Sequence, residues 1–206
     1  MIEYRQAQET DLPGIADVFF AAFAESVRHA QVGPAARHAI ADAFGLVLAA
    51  EPEGLLVAAG DGRVRAYSLA TVDAGRLRRK ILWWGGWLRM LARALAGHYG
   101  IGWRTVRIVL GDKAVFLRSA RLHGGHQARL LSLAVHPDAQ GQGLGRALVT
   151  ASLAHLESAG AKTVRLEVRP DNIPARHIYE SLGFQPRGEY ADGQGTWLVM
   201  IRDPGE

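Results

Sequence analysis

The alternation of apolar and polar side chains from Ile2 to Gln6 has the period of a strand, and Thr10-Asp11 then offers an N-cap for a helix through Leu12, Ile15, Val18, Phe19 and Phe23. A second helix is predicted from Pro34 to Ala50. Beyond it, apolar runs from Gly54 to Ala59 and from Val64 to Ala70 flank Gly60-Asp61-Gly62-Arg63, whose turn chemistry predicts a hairpin. From about Val72 to Gly125 the rhythm breaks. Trp83, Trp84, Trp87, Leu88, Leu91 and Leu95 recur near helical spacing with Arg89 and Arg93 on the other side, which predicts one amphipathic helix or two, with a short strand around Thr105 to Leu110. Regular structure resumes with an apolar strand at Arg129 to Val135, a glycine-rich turn, and a helix from about Gly145 to Ala159 stopped by Gly160. Leu144, Ala147, Leu148 and Ala151 form that helix's apolar face. A strand at Thr163 to Val168, a short helix at Pro174 to Leu182, and a closing hairpin of Phe184 to Tyr190 with Thr196 to Ile201 complete an α/β (α+β) pattern.

Composition narrows what this pattern can serve. With 206 residues, 49% of them hydrophobic, the chain suits one well-filled domain over residues 1–206 with a substantial insertion at about 73–125. No apolar run approaches the roughly 18 residues needed to cross a bilayer, and Glu3, Arg5, Glu9 and Asp11 are unlike a signal-peptide core, so the expected location is the cytoplasm. The absence of cysteine excludes disulfides, thiolate–metal sites and acyl transfer through a cysteine-bound intermediate. No residue grouping resembles a metal site. The net charge of +4 is unevenly spread: between Ala74 and His126 eleven Lys and Arg face Asp112 alone, a local +10 that leaves −6 for the remainder.

The candidate chemistry centres on Gln140-Gly141-Gln142-Gly143-Leu144-Gly145. A diphosphate concentrates negative charge, and the first N–H groups of a helix lack intrahelical partners, so a helix start free of side-chain bulk can grip it through the backbone. Gly143 and Gly145 permit that approach, while Gln140, Gln142 and Arg146 add side-chain donors or charge. A preceding apolar strand and a following amphipathic helix supply the required context. Triphosphate and dinucleotide motifs fit poorly, because no Gly-Lys-Ser/Thr follows and no acidic residue is placed for a ribose.

These residues resemble the GCN5-related N-acetyltransferase (GNAT) superfamily, whose cofactor signature is Gln/Arg-x-x-Gly-x-Gly/Ala after a strand. Leu131 to Pro137, Leu166 to Asn172 and Tyr179 to Phe184 fit the same pattern in the same order. The resemblance is strong over Arg129 to Arg202, loose over Ile2 to Val72, and absent from the basic segment between. It implies a GNAT fold, a mixed, twisted sheet flanked by helices, with acetyl-CoA as acyl donor in a gap where the strands Arg129 to Val135 and Thr163 to Val168 splay apart. It further implies pantetheine contacts from the backbone of Leu133, Ala134 and Val135, a diphosphate on Gln140, Gly141, Gln142, Gly143, Leu144, Gly145 and Arg146, and a cofactor contact from Asn172.

Direct transfer from a thioester to an amine needs a neutral amine, a route for its proton, and donors to the oxyanion and leaving thiolate. By the resemblance, Tyr179 donates the proton to the departing sulfur and also contacts the cofactor. Glu167 sits between the apolar residues Leu166 and Val168 of a strand, where a carboxylate needs a partner or a function. The stretch Leu166 to Phe184 resembles the bacterial ribosomal-protein alanine N-acetyltransferases, in which a glutamate matching Glu167 is the proposed base; an ion pair with an arginine at the sheet edge is the competing role. Many superfamily members carry a glutamate on the first splayed strand, where Arg129 and Leu131 stand here, so a water chain led by His123, His126, His136 or Glu25 is the alternative route.

The acceptor stays open between a protein N-terminal or lysine amine and a small amine such as a polyamine or aminoglycoside. A non-catalytic acyl-CoA sensor and a nucleic-acid-binding protein are the competing classes. For the insertion three readings stand: a lid over the acceptor site, a surface for acidic protein, RNA or an anionic membrane, or a structural helix completing the core. A homodimer is a further partner consistent with the sequence.

Overall fold

The structure is a computed structural model, and it describes residues 1–24, 27, 33, 35–83, 85–100, 128–193 and 195–203. Trp84, the strand expected at Thr105 to Leu110, and the candidates Glu25, His123 and His126 lie outside the described residues. The elements in chain order are β1 (Glu3–Gln6), α1 (Leu12–Ala22), α2 (Ala36–Ala50), β2 (Leu55–Gly60), β3 (Arg63–Thr71), α3 (Ala74–Trp83), α4 (Gly86–Leu95), β4 (Ala128–Val135), α5 (Leu144–Ser158), β5 (Val164–Val168), α6 (Ile173–Ser181), β6 (Gln185–Asp192) and β7 (Gly195–Arg202).

The strands form a seven-stranded sheet in the order β1-β2-β3-β4-β5-β7-β6. Every neighbouring pair is antiparallel except β4 and β5. That parallel pair is central, and its crossover is α5, as a parallel connection requires. Alternation along the strands sends side chains to two faces. On one, Leu130 of β4, Leu166 and Val168 of β5 and Met200 of β7 pack with Val149, Leu153 and Leu156 of α5. On the other, Val57, Tyr67, Leu69 and Ala134 pack with Ile15 and Val18 of α1 and Phe44 and Leu48 of α2.

Asp11 does not cap α1 through its side chain, as the sequence leads one to expect. It accepts two hydrogen bonds from the Arg5 guanidinium, at 2.6 and 2.9 Å, and one from the Gln8 amide at 2.8 Å, which tie the first strand to the first helix. The Arg5 hydrogen bonds hold the Asp11 carboxyl below the usual carboxylate value, against an opposing effect of burial. A carboxyl whose value is lowered on folding adds stability above its unfolded value of about 4 and loses it as the pH falls further. Asp11→Asn is therefore expected to lower unfolding stability by about 1–3 kcal/mol at pH 7, with the difference narrowing below about pH 4. Thermal unfolding of both proteins at the two pH values checks it.

The segment read as an insertion contributes two helices, α3 and α4, both packed against α2. The Lys80 ammonium donates to the Ala50 carbonyl at 2.7 Å, Arg93 pairs with Asp42 at 2.7 Å, and a Cβ on Gly86 would run into Leu46. The expected apolar stripe exists, but it does not complete the core. Trp83, Leu88, Leu91 and Leu95 are exposed, so the structural-helix reading of that stripe is not what the fold displays.

Candidate active site

The central gap arises from pairing that stops. β4 and β5 are in register only at Ala128↔Val164 and Arg129↔Arg165. From there β4 continues along β3 as far as the pair Ala66↔Val135, whereas β5 continues along β7 as far as Val168↔Leu198. Past Arg129, the N–H and C=O groups of β4 that point away from β3 therefore face the gap instead of a neighbouring strand. A register shift between Leu69 and Ala70 of β3, opposite Ser132 and Leu130 of β4, places an irregularity at the point of parting. Such bulges redirect the backbone next to active sites.

At the far end of β4 the chain makes one short turn, Pro137–Ala139, and enters the glycine sequence. Gly141 and Gly143 have φ of +75° and +78°, a left-handed conformation that L side chains rarely adopt, and a Cβ at either would meet only open space. Gly143 is the N-cap of α5, and the first bond of that helix runs from the Ala147 amide to the Gly143 carbonyl at 3.1 Å. The amides of Leu144, Gly145 and Arg146 thus belong to the helix end whose donors have no intrahelical acceptor. Gly145 is buried, and its own Cβ would lie 3.4 Å from Ile178 of α6 and 3.5 Å from Val135 of β4, so this end of α5 sits beside the gap.

The side chains expected to assist are placed less simply. Gln140 directs its amide nitrogen toward the Val135 carbonyl at 3.5 Å, at the limit of a hydrogen bond. Gln142 is exposed. Arg146 donates to the Ser181 hydroxyl at 2.9 Å, bridging the start of α5 to the end of α6. Asn172 is the N-cap of α6, its side-chain oxygen accepting from the Ala175 amide at 3.2 Å, which leaves its NH2 group for another partner.

Tyr179 is buried on α6 within the cluster that contains Leu130 of β4 and Leu166 of β5, so it belongs to both sides of the gap. Its ring meets Phe184 edge-on at 5.8 Å between centroids. Burial pushes its hydroxyl up to about 12.

Glu167 points to the opposite face, with Arg165 two residues before it on β5 and Arg129 on β4. Arg165 Nε lies 2.8 Å from Glu167 Oε1, and Arg129 Nη1 lies 3.9 Å from the same oxygen. Both arginines are buried, Arg165 completely, and burial draws the Arg129 guanidinium below its ordinary value. The contact at Oε1 is an ion pair without hydrogen-bond alignment, since among the described residues neither that oxygen nor the Arg165 guanidinium nitrogens has a hydrogen-bond partner. The expected arginine partner exists, yet in the centre of the sheet and not at its edge, because β5 is flanked on both sides. Arg165 itself was not singled out by sequence, although its i, i+2 spacing to Glu167 on one strand signals a shared face. Of the alternative proton carriers, His136 caps the Pro137–Ala139 turn and lies 3.6 Å from Asp138.

The comparisons with known proteins agree with this geometry. An 80-residue stretch is 52% identical to the [Ribosomal protein bS18]-alanine N-acetyltransferase of Escherichia coli (strain K12), covering 36% of this chain and 54% of that one. A 73-residue stretch is 41% identical to the mycothiol acetyltransferase of Actinosynnema mirum, covering 35% of this chain and 25% of the relative. The chain thus spans about half or less of the length of these curated relatives. Among solved structures, the ribosomal-protein-S18-alanine N-acetyltransferase from Escherichia coli superposes with a TM-score of 0.57 at 21% identity, covering 100% of this chain and 96% of that one. The histone acetyltransferase HPA2 and related acetyltransferase from Corynebacterium glutamicum superposes with a TM-score of 0.61 at 22% identity, over 100% and 97% of the two chains. These structural likenesses establish the fold. Residues 34 to 184, most of the chain and all of the gap, turn and α6, match the family model described as "Acetyltransferase (GNAT) family", and the chain belongs to that family.

Proposed function

We propose that the protein transfers an acetyl group from acetyl-CoA directly to a primary amine, and that the acceptor is the α-amine of a protein or peptide N-terminus. The observation that carries the transfer reading is the parting of β4 from β5 after a two-residue pairing, with a glycine-led helix start at the mouth of the gap. The pantetheine arm lies along Leu133, Ala134 and Val135 as an added strand, and the diphosphate lies on the turn from Gln140 to Arg146. The neutral amine attacks the thioester carbon, a β4 amide facing the gap donates to the oxyanion, and the C–S bond then breaks. Tyr179 gives its proton to the departing sulfur. Glu167, fixed through Oε1 by Arg165, takes the amine's proton on Oε2, directly or through water. Tyr179 and Glu167 lie on opposite faces of the sheet, so that acid and base approach the thioester from its two sides. The α-amine is favoured by the identity to the bS18-alanine enzyme, and by chemistry: it is partly neutral near pH 7.5, whereas a lysine is almost fully charged.

A screen of peptide, lysine, polyamine and aminoglycoside acceptors, with free thiol as the readout, tests the reading. Acetyl-CoA-dependent thiol release with an N-terminal amine is expected; acetyl-CoA binding without transfer to any amine would leave a sensor.

The turn has its own test. Asp and Asn both tolerate a left-handed backbone better than other residues, so Gly143→Asp and Gly143→Asn keep similar strain and differ in charge. Gly143→Asp is expected to raise the KM for acetyl-CoA about tenfold above that of Gly143→Asn, because it sets a carboxylate against the diphosphate at a helix N-terminus. Equal KM values in the two variants remove the turn from the donor site.

A further inference from the structure

Helix α4 is amphipathic in the reverse of the usual sense. At about 100° per residue, Gly86, Met90 and Arg93 fall on one side, the side that meets Leu46 and Asp42 of α2. Trp87, Leu88, Leu91 and Leu95 fall within about 100° of arc on the other side and are exposed, Leu95 at 81%. The end of α3 extends the same character, with Leu82 exposed and Trp83 at 89%. Single exposed apolar residues need no explanation, but six on two adjoining helices form a patch of the kind that marks an interaction surface.

Charge identifies the partner. From Ala74 to Gly100 the chain has six Lys and Arg and no Asp or Glu. Arg76, Arg78 and Arg79 are exposed, whereas Lys80 and Arg93 are engaged with α2 and Arg89, although exposed, interacts with Asp42 of the same helix. A second copy of this chain would bring two such cationic surfaces together. RNA would satisfy the arginines and stack on tryptophan but offers nothing to bury leucine. A lipid surface with anionic headgroups satisfies both, because its acyl boundary takes up Trp and Leu while phosphates pair with arginine. No helix among the described residues is long and apolar enough to cross a membrane, so association is with the surface.

We propose that the α3–α4 hairpin is an anionic-membrane docking element that inserts Trp83, Trp87, Leu91 and Leu95 into the headgroup–acyl boundary and is drawn there by Arg76, Arg78 and Arg79. The proposal is independent of the acceptor's identity.

The test is co-sedimentation of the full chain with vesicles of phosphatidylglycerol and phosphatidylcholine, mixed 1:3, and with phosphatidylcholine alone. The expected result is binding to the anionic vesicles with a blue shift of tryptophan emission, weakened at least tenfold on raising the salt from 50 to 500 mM. Leu91→Glu/Leu95→Glu should lose at least tenfold in affinity with an unchanged melting temperature, since both positions are exposed. Arg76→Glu/Arg78→Glu/Arg79→Glu, which leaves the apolar patch intact, should lose a similar factor at low salt. Absence of binding to anionic vesicles at either salt, or equal binding to phosphatidylcholine alone, overturns the proposal. So does a concentration-dependent dimer or an RNA complex that Leu91→Glu/Leu95→Glu abolishes while vesicle binding is absent.

Discussion

Tyr179→Phe is expected to lower kcat by about two to three orders of magnitude while leaving the KM for acetyl-CoA within about twofold, the pattern of a lost proton donor. The substitution removes one oxygen from a buried ring whose edge-on contact with Phe184 a phenylalanine can keep, so the fold should hold. The pH dependence sharpens the expectation. Burial raises the hydroxyl to about 12, and a group raised above its ordinary value of 10 stays protonated throughout the range in which an amine loses its proton. The wild-type rate should therefore climb through the acceptor's own titration and show no alkaline decline from Tyr179 below about pH 10. The phenylalanine variant should keep the same rising limb at reduced height. Stopped-flow or steady-state thiol release between pH 6 and 10 measures both, and unchanged turnover in the variant takes Tyr179 out of the mechanism.

What the sequence discloses about this site depends on whether the determining contact is local. The glycine turn was legible because its glycines and the strand before them act within a few residues of one another, but of Gly143 and Gly145 only Gly143 has a positive φ; Gly145 lies within α5, and Gly141 takes the other left-handed position. The hairpin of β2 and β3 was legible for the same reason. The length of the β4–β5 pairing was not, since periodicity shows that two strands exist but not where they part. Only the family resemblance pointed to a gap. Asp11 shows a competition that local rules miss: it holds the N-cap position of α1, but its carboxylate is claimed by Arg5 instead of the helix amides. In the hairpin of α3 and α4 the amphipathic period was plain, but the face that packs was inverted by Asp42, a residue 51 positions from its partner Arg93. A hydrophobic pattern states that one face differs from the other, and only tertiary contacts decide which is inside.

Glu167 combines a structural and a chemical load, and one substitution separates them. Glu167→Gln leaves Arg165, completely buried, without its counter-charge at Nε. Removing one partner of a buried ion pair typically costs about 3–5 kcal/mol, and an amide oxygen left beside Nε, which retains part of the attraction, sets the expectation at about 3 kcal/mol. Urea denaturation measures that loss. Turnover assayed well below the unfolding midpoint then reports the chemistry. A base on Oε2 matters most for a charged amine, so the variant should lose about 100-fold with a lysine side chain as acceptor and less with an α-amine, which is already partly neutral. A stability loss with turnover unchanged for both acceptors from pH 6 to 9 would confine Glu167 to holding Arg165 and Arg129 in the sheet. Lost turnover at full stability would instead contradict the ion pair. The clamp and the base thus make different demands on the same carboxylate, one on Oε1 and one on Oε2, and Glu167→Asp, which keeps the charge but shortens the reach, should recover more of the stability than of the rate.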